Sequence, residues 1–171
     1  MRGLIETERL LLDELAVDRD ETFIMELLNE PGFLDNIGDR GVRSLAGARG
    51  YIGNGPLVSY AKHGFGLWRV VEKSTGEAIG ICGLIKRDGL DFPDLGYAIL
   101  ERAWGRGYAE EAARASLDYG RKVLDMGRIV AITVPGNVGS IRVLEKVGFV
   151  FDSMIQLPGE RDKSTYFVSE P

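Results

Sequence analysis

A chain of 171 residues, 44% hydrophobic and 27% charged, is sized for one well-buried domain spanning residues 1–171 and is too short for two. The net charge of −5 offers no global attraction for nucleic acid or an acidic membrane, so neither partner is expected, and an anionic ligand would have to be held by local groups. No apolar run approaches the roughly 20 residues of a membrane span, and acids stand near the N-terminus where a signal peptide needs an apolar segment, so a cytoplasmic protein is expected.

In chain order, Glu6 to Leu12 reads as a first strand, and Phe23, Ile24, Leu27 and Leu28 form one stripe of a helix over Asp20 to Asn29 that Pro31-Gly32 stops. Phe33 to Val42 has neither period. It mixes Phe33 and Ile37 with Asp35, Asn36, Asp39 and Arg40, the make-up of a structured surface turn or of a wall of a binding site. Ser44 is placed to cap a second helix running through Tyr51-Ile52, with Gly53-Asn-Gly-Pro56 as its end. His63, the only histidine, is expected in a loop.

Leu67 to Glu72 and Ala78 to Lys86 read as strands joined by a glycine-containing turn, with Ile79, Ile81 and Ile85 on one face. Cys82, the only cysteine, excludes an intramolecular disulfide and is expected as a buried structural thiol; no metal site is expected from one cysteine and one histidine. Asp94 opens a further strand in which Leu95, Tyr97 and Ile99 alternate with smaller residues. The period then changes to helical, with Ala109, Ala112, Ala113, Ser116, Gly120 and Leu124 on one stripe. Between the two lies Arg102-Ala-Trp-Gly-Arg-Gly107, where two glycines directly precede a helix. Such a loop can be a plain tight turn or a cradle of backbone N–H groups for phosphate. A dinucleotide fingerprint fits less well, because its third glycine position is Glu110.

Arg128 to Val134 is a buried-strand run. Asn137 is a good N-cap for a helix whose apolar residues are Ile141, Val143, Leu144 and Val147 and which Gly148 closes. Phe149 to Leu157 and Ser164 to Val168 complete the sheet around the turn Pro158 to Asp162.

Two blocks carry a resemblance. Arg102-x-x-Gly105-x-Gly107, between Gly96-Tyr-Ala-Ile-Leu100 and Tyr108-Ala-Glu-Glu-Ala112, resembles the acetyl-coenzyme A loop of the GNAT N-acetyltransferase superfamily. Asn137-x-x-Ser140, followed by Lys146-Val-Gly-Phe149, resembles its second conserved segment. Glu6-Thr-Glu-Arg-Leu10 is similar to the opening of the RimJ/RimL branch, the ribosomal-protein alanine acetyltransferases, although Leu12-Asp-Glu-Leu15 departs from that branch's continuation.

The resemblance implies an α+β (α/β) GNAT fold ordered β, α, α, β, β, β, α, β, α, β, β, with a mixed, mostly antiparallel sheet of about seven strands and four helices. It also implies direct transfer of acetyl from acetyl-CoA to a primary amine, by a monomer or homodimer. Ala98, Ile99, Leu100, Arg102, Trp104, Gly105, Arg106, Gly107, Tyr108, Ala109, Asn137 and Ser140 would hold acetyl-CoA, and Ser140 would steady the leaving thiolate. Asp94 stands where the family often carries a catalytic Glu; it is either the general base, acting directly or through water, or a turn residue. Glu101 is expected to be solvated. Asn36, Asp39 and Tyr97 would meet the acceptor, with Asp39 suited to a cationic one. A CoA-binding regulatory or interaction protein on the same fold is the alternative.

Overall fold

The computed structural model describes residues 3–171, and among them eight strands form one sheet in the order β1-β2-β3-β4-β5-β6-β8-β7. The strands are β1 (Gly3–Glu6), β2 (Leu10–Asp13), β3 (Leu67–Glu72), β4 (Glu77–Ile85), β5 (Asp94–Ile99), β6 (Ile129–Thr133), β7 (Val150–Ile155) and β8 (Ser164–Ser169). Every neighbouring pair is antiparallel except β5 and β6. Six α-helices among the described residues accompany them: α1 (Val17–Asn29), α2 (Pro31–Asn36), α3 (Leu45–Asn54), α4 (Pro56–His63), α5 (Tyr108–Lys122) and α6 (Val138–Lys146). No helix among the described residues is long and apolar enough to cross a membrane.

The sheet has two covered faces. Leu10, Leu12, Trp68, Val70, Leu84, Leu95 and Ile99 pack with Ala112, Ala113 and Leu117 of α5 and Leu144 of α6. The opposite face buries Ile81, Ala98 and Leu100 beneath Ile24, Leu27 and Leu28 of α1 and Ala48 and Ile52 of α3. A buried ionic cluster ties α1 to the sheet. Arg69 on β3 bonds both oxygens of Asp13 at 2.8 and 2.7 Å, and reaches Asp20 at 3.3 Å. Arg19 holds the other side of Asp20 at 2.8 Å, and both carboxylates are 1% exposed.

Four readings change. The expected first strand over Glu6 to Leu12 is two strands. Thr7 turns the chain by accepting Leu10 N–H at 2.9 Å on its hydroxyl, which makes eight strands where about seven were expected. Six helices replace four, because Pro31 and Pro56 each sit in a first helical turn, where a missing N–H is harmless. Pro31 therefore starts α2 as well as ending α1. Gly55 both closes α3 and precedes α4, so His63 is the last residue of α4 instead of a loop residue. Finally, a register shift opposite Val70/Val71 turns Ile79 toward α5 while Ile81 faces α1 and α3, so the three isoleucines do not share one side. Cys82 is fully buried beside Ser116 at 3.4 Å, and burial pushes its thiol up to about 12.

Candidate functional site

The one parallel pair among the described strands is also the least paired. β5 and β6 meet at Asp94 and Val130, where Val130 N–H donates to Pro93 C=O at 2.9 Å, and then diverge. On its other side β5 stays fully paired with β4, and Leu100 N–H donates to Ile79 C=O at 2.8 Å. In an antiparallel ladder the bonded groups alternate. Counting back from Leu100, the main-chain groups of Tyr97 and Ile99 point away from β4, into the gap. The gap opens into a cleft of about 440 Å³ bounded by α1–α2, β5, the glycine loop and the start of α6.

The loop is shaped by a short 3₁₀ turn, Glu101–Ala103, followed by Gly105 and Gly107 at φ +75° and +79°. That left-handed conformation strains a residue with a Cβ. Gly107 is also the N-cap of α5, with no side-chain cap. The amides of Tyr108, Ala109 and Glu110 thus lack the intrahelical acceptors that later turns enjoy, and the helix dipole adds partial positive charge there. The arrangement suits an anion such as a diphosphate.

Two braces hold this loop. From the β1–β2 turn, Arg9 donates to Arg106 C=O at 2.8 Å and to Glu111 at 2.7 Å, while Thr7 donates to Glu111 at 2.6 Å. From the α1–α2 junction, Glu30 accepts Glu101 N–H at 2.9 Å and Glu101 accepts Gly32 N–H at 2.8 Å. Glu101, expected in solvent, is therefore a strut. Residue spacing carries no sign of this, because its partner lies 69 residues away. The Trp104 indole donates to Ile99 C=O at 2.7 Å, and its ring lies so close to Gly32 that a Cβ there would come within 2.5 Å of it.

At its inner end the cleft meets a second, smaller pocket of about 120 Å³; Phe33, Ile37, Tyr97, Ala98 and Ser140 line both. Tyr97 and Ser140 hydroxyls lie 2.8 Å apart, and Tyr97 also approaches Ser140 C=O at 3.2 Å. Burial pushes the Tyr97 phenol up to about 12, against the Ser140 hydrogen bond. Asn137 caps α6 by accepting Ser140 N–H at 3.3 Å, which fixes the serine at the cleft. Asp94 lines the smaller pocket, 1% exposed, with Oδ1 unpartnered and Oδ2 3.4 Å from Arg87. Burial raises its carboxyl above the usual 3.8, opposed by the Arg87 guanidinium.

The predicted site residues do not all gather here. Ala98, Ile99, Trp104, Gly105, Gly107, Tyr108, Ala109, Asn137, Ser140, Asn36 and Tyr97 line the larger cleft. Leu100 is fully buried in the core, and the side chains of Arg102 and Arg106 lean toward Glu77 and Glu72 at 3.8 and 3.5 Å. Asp39, expected near a cationic acceptor, lies outside both cavities and pairs with Arg43 at 2.7 Å. Its neighbour Arg40 is the residue that reaches the smaller pocket, with Tyr51 and Arg87. Alternation would have flagged none of the three. Among the described residues no group of acidic, histidine or cysteine side chains is placed to hold a metal.

The family model described as the acetyltransferase (GNAT) domain matches residues 9–150. The chain belongs to the GNAT acetyltransferase family. It is 35% identical to the uncharacterized protein YkkB of Bacillus subtilis over 142 residues, 81% of each chain. Among solved structures it is similar to an acetyltransferase from Agrobacterium tumefaciens, with TM-score 0.82, 26% identity and coverage of 98% of this chain and 94% of that one. Two GNAT-fold structures below 25% identity share the fold alone. One is described as a candidate ribosomal-protein-serine acetyltransferase from Vibrio cholerae, with TM-score 0.79, 20% identity and coverage of 98% and 97%. The other is aminoglycoside acetyltransferase AAC(6')-Ib in complex with coenzyme A, with TM-score 0.76, 18% identity and coverage of 94% of each chain.

Proposed function

We propose that this GNAT protein moves the acetyl group of acetyl-CoA directly onto a primary amine, offered by a protein N-terminus or a small molecule. The junction of the two cavities at Tyr97 and Ser140 carries this reading, since an acyl donor lying in the larger and an amine in the smaller would meet there. Acetyl-CoA supplies an activated acyl carbon and a good leaving group. The amides from Gly105 to Ala109 are the support for its diphosphate, and the outward-facing main chain of Tyr97 is the support for its extended arm.

As the amine nitrogen bonds the acyl carbon and the C–S bond breaks, one N–H proton passes to the ionised Asp94. The Tyr97–Ser140 hydroxyl pair donates to the departing thiolate. A carboxyl raised by burial is a stronger base than an ordinary aspartate, which suits this task. A lysine-like amine needs about 4–5 kcal/mol to lose its proton at pH 7 and an α-amine about 1 kcal/mol, so the α-amine makes the smaller demand on Asp94. The Glu6-to-Leu10 opening, whose Thr7 and Arg9 brace the loop, is the feature that resembles the RimJ/RimL branch. Release of free thiol on mixing with acetyl-CoA and a panel of amines and peptides tests the reading; a protein that binds acetyl-CoA yet releases thiol with none of them is a binding protein instead.

A further inference from the structure

Hydrogen-bonding capacity in the smaller pocket does not balance. Asp94 Oδ1 is buried without a donor. Arg87 makes one long contact, 3.4 Å to Asp94, and its Nε is buried without an acceptor. The solvent-exposed Arg40 and the Tyr51 hydroxyl also line the pocket, and neither makes a hydrogen bond or ion pair among the described residues. Both guanidiniums lie close enough to oppose the rise that burial imposes on the Tyr51 phenol. One buried acceptor and one buried donor thus stand without a partner, and two positive side chains, the exposed Arg40 and the half-buried Arg87, line the pocket against one carboxylate. The remaining wall is largely apolar, from Phe33 and Ile37 to Ile132 and Leu144.

Unpaired guanidiniums beside a partly desolvated pocket favour an anion, because charge-assisted hydrogen bonds are the strong ones. They repel a polycation at close range. At about 120 Å³ the pocket is also well below the ~300–1,000 Å³ typical of drug-sized ligands. We infer that the acceptor is a small amino acid, its carboxylate held between Arg40 and Arg87 and its amino group directed at Asp94. Amine and carboxylate are adjacent in an α-amino acid, as Arg87 and Asp94 are adjacent in the pocket. This assignment rests on the proposed acetyl transfer.

Calorimetric titration of the protein with N-acetyl-L-alanine, N-acetyl-L-alaninamide, spermidine and an N-acetylated tripeptide amide, each with and without coenzyme A, is the test. The acid is expected to bind at least ~10-fold more tightly than the amide, as for a charge-assisted contact. Arg40→Gln and Arg87→Gln are each expected to narrow that ratio to about twofold or less, with circular dichroism confirming the fold. The inference is overturned if acid and amide bind alike, if neither binds, if spermidine or the tripeptide binds more tightly, or if the ratio survives both substitutions. Failure of coenzyme A itself to bind is read in separate titrations and would instead count against acetyl transfer.

Discussion

Asp94→Asn separates catalysis from stability and gives each a sign. The carboxyl is 1% exposed, and burial, the dominant influence on it, raises its pKa in the folded state above the usual 3.8. A raised folded pKa means that the native state prefers the protonated form, so the group's favourable contribution is full below pH 3.8 and is lost as pH rises through the folded value. Above the folded value the ionised Asp94 contributes less to the fold than its protonated form, by about 1.4 kcal/mol for every tenfold weakening of the acid on burial. Asparagine keeps the shape and cannot ionise.

The stability of Asp94→Asn relative to the parent should thus improve with pH. In a protein of this size each kcal/mol shifts Tm by roughly 2–4 °C, so the Tm difference between variant and parent should move in the variant's favour as pH rises from 3.5 to 8, by roughly 3–6 °C for each tenfold weakening of the acid. The pH-independent part of the difference carries the changed contact with Arg87 and sets only the offset. Over the same range kcat/KM should fall by about 10²–10⁴, the usual contribution of a general base, and the acid limb assigned to Asp94 should vanish. Differential scanning calorimetry with a thiol-release assay reads both. A Tm difference that is flat in pH, or moves against the variant, refutes the buried-carboxylate argument; an unaltered rate profile removes Asp94 from the base role.

Gly107→Val places a Cβ at φ +79° in the loop; a loop that relaxes out of the cradle to escape the roughly 1–3 kcal/mol of strain such a backbone carries should bind acetyl-CoA about 5–150-fold more weakly by calorimetry. Tyr97→Phe leaves Ser140 without its hydroxyl partner; kcat should drop roughly 10-fold, about the worth of one hydrogen bond, with KM for acetyl-CoA little changed in steady-state assays. Asp20→Ala removes one acid from the buried cluster with Arg19 and Arg69 and should cost about 3–5 kcal/mol in urea unfolding.

Much of the candidate site's backbone was legible because it rests on local conformational demands. Gly105 and Gly107 adopt left-handed conformations at the period change from β5 to α5, and Asn137 caps the helix that delivers Ser140. The larger errors come from contacts that spacing does not encode. The Glu30, Glu101 and Gly32 strut joins segments about 70 residues apart, so Glu101 looked like any surface acid. The shift that parts Ile79 from Ile81 arises in pairing with β3, and no alternation in β4 reports it. In the loop after α2, charge pattern brought Asp39 forward, yet Arg43 holds that carboxylate outside while Arg40 reaches the pocket. Prolines misled for a simpler reason: a proline after a helix can stop it or begin the next.

A heteronuclear NMR titration with coenzyme A follows every backbone amide at once and tests the cradle most directly. The largest shifts should fall on Gly105, Gly107, Tyr108 and Ala109, with a second group at Tyr97 on the free side of β5. Shifts centred instead on the groove of about 750 Å³ between the β1–β2 turn and the outer face of α5, around Leu4, Arg114 and Tyr119, would contradict it.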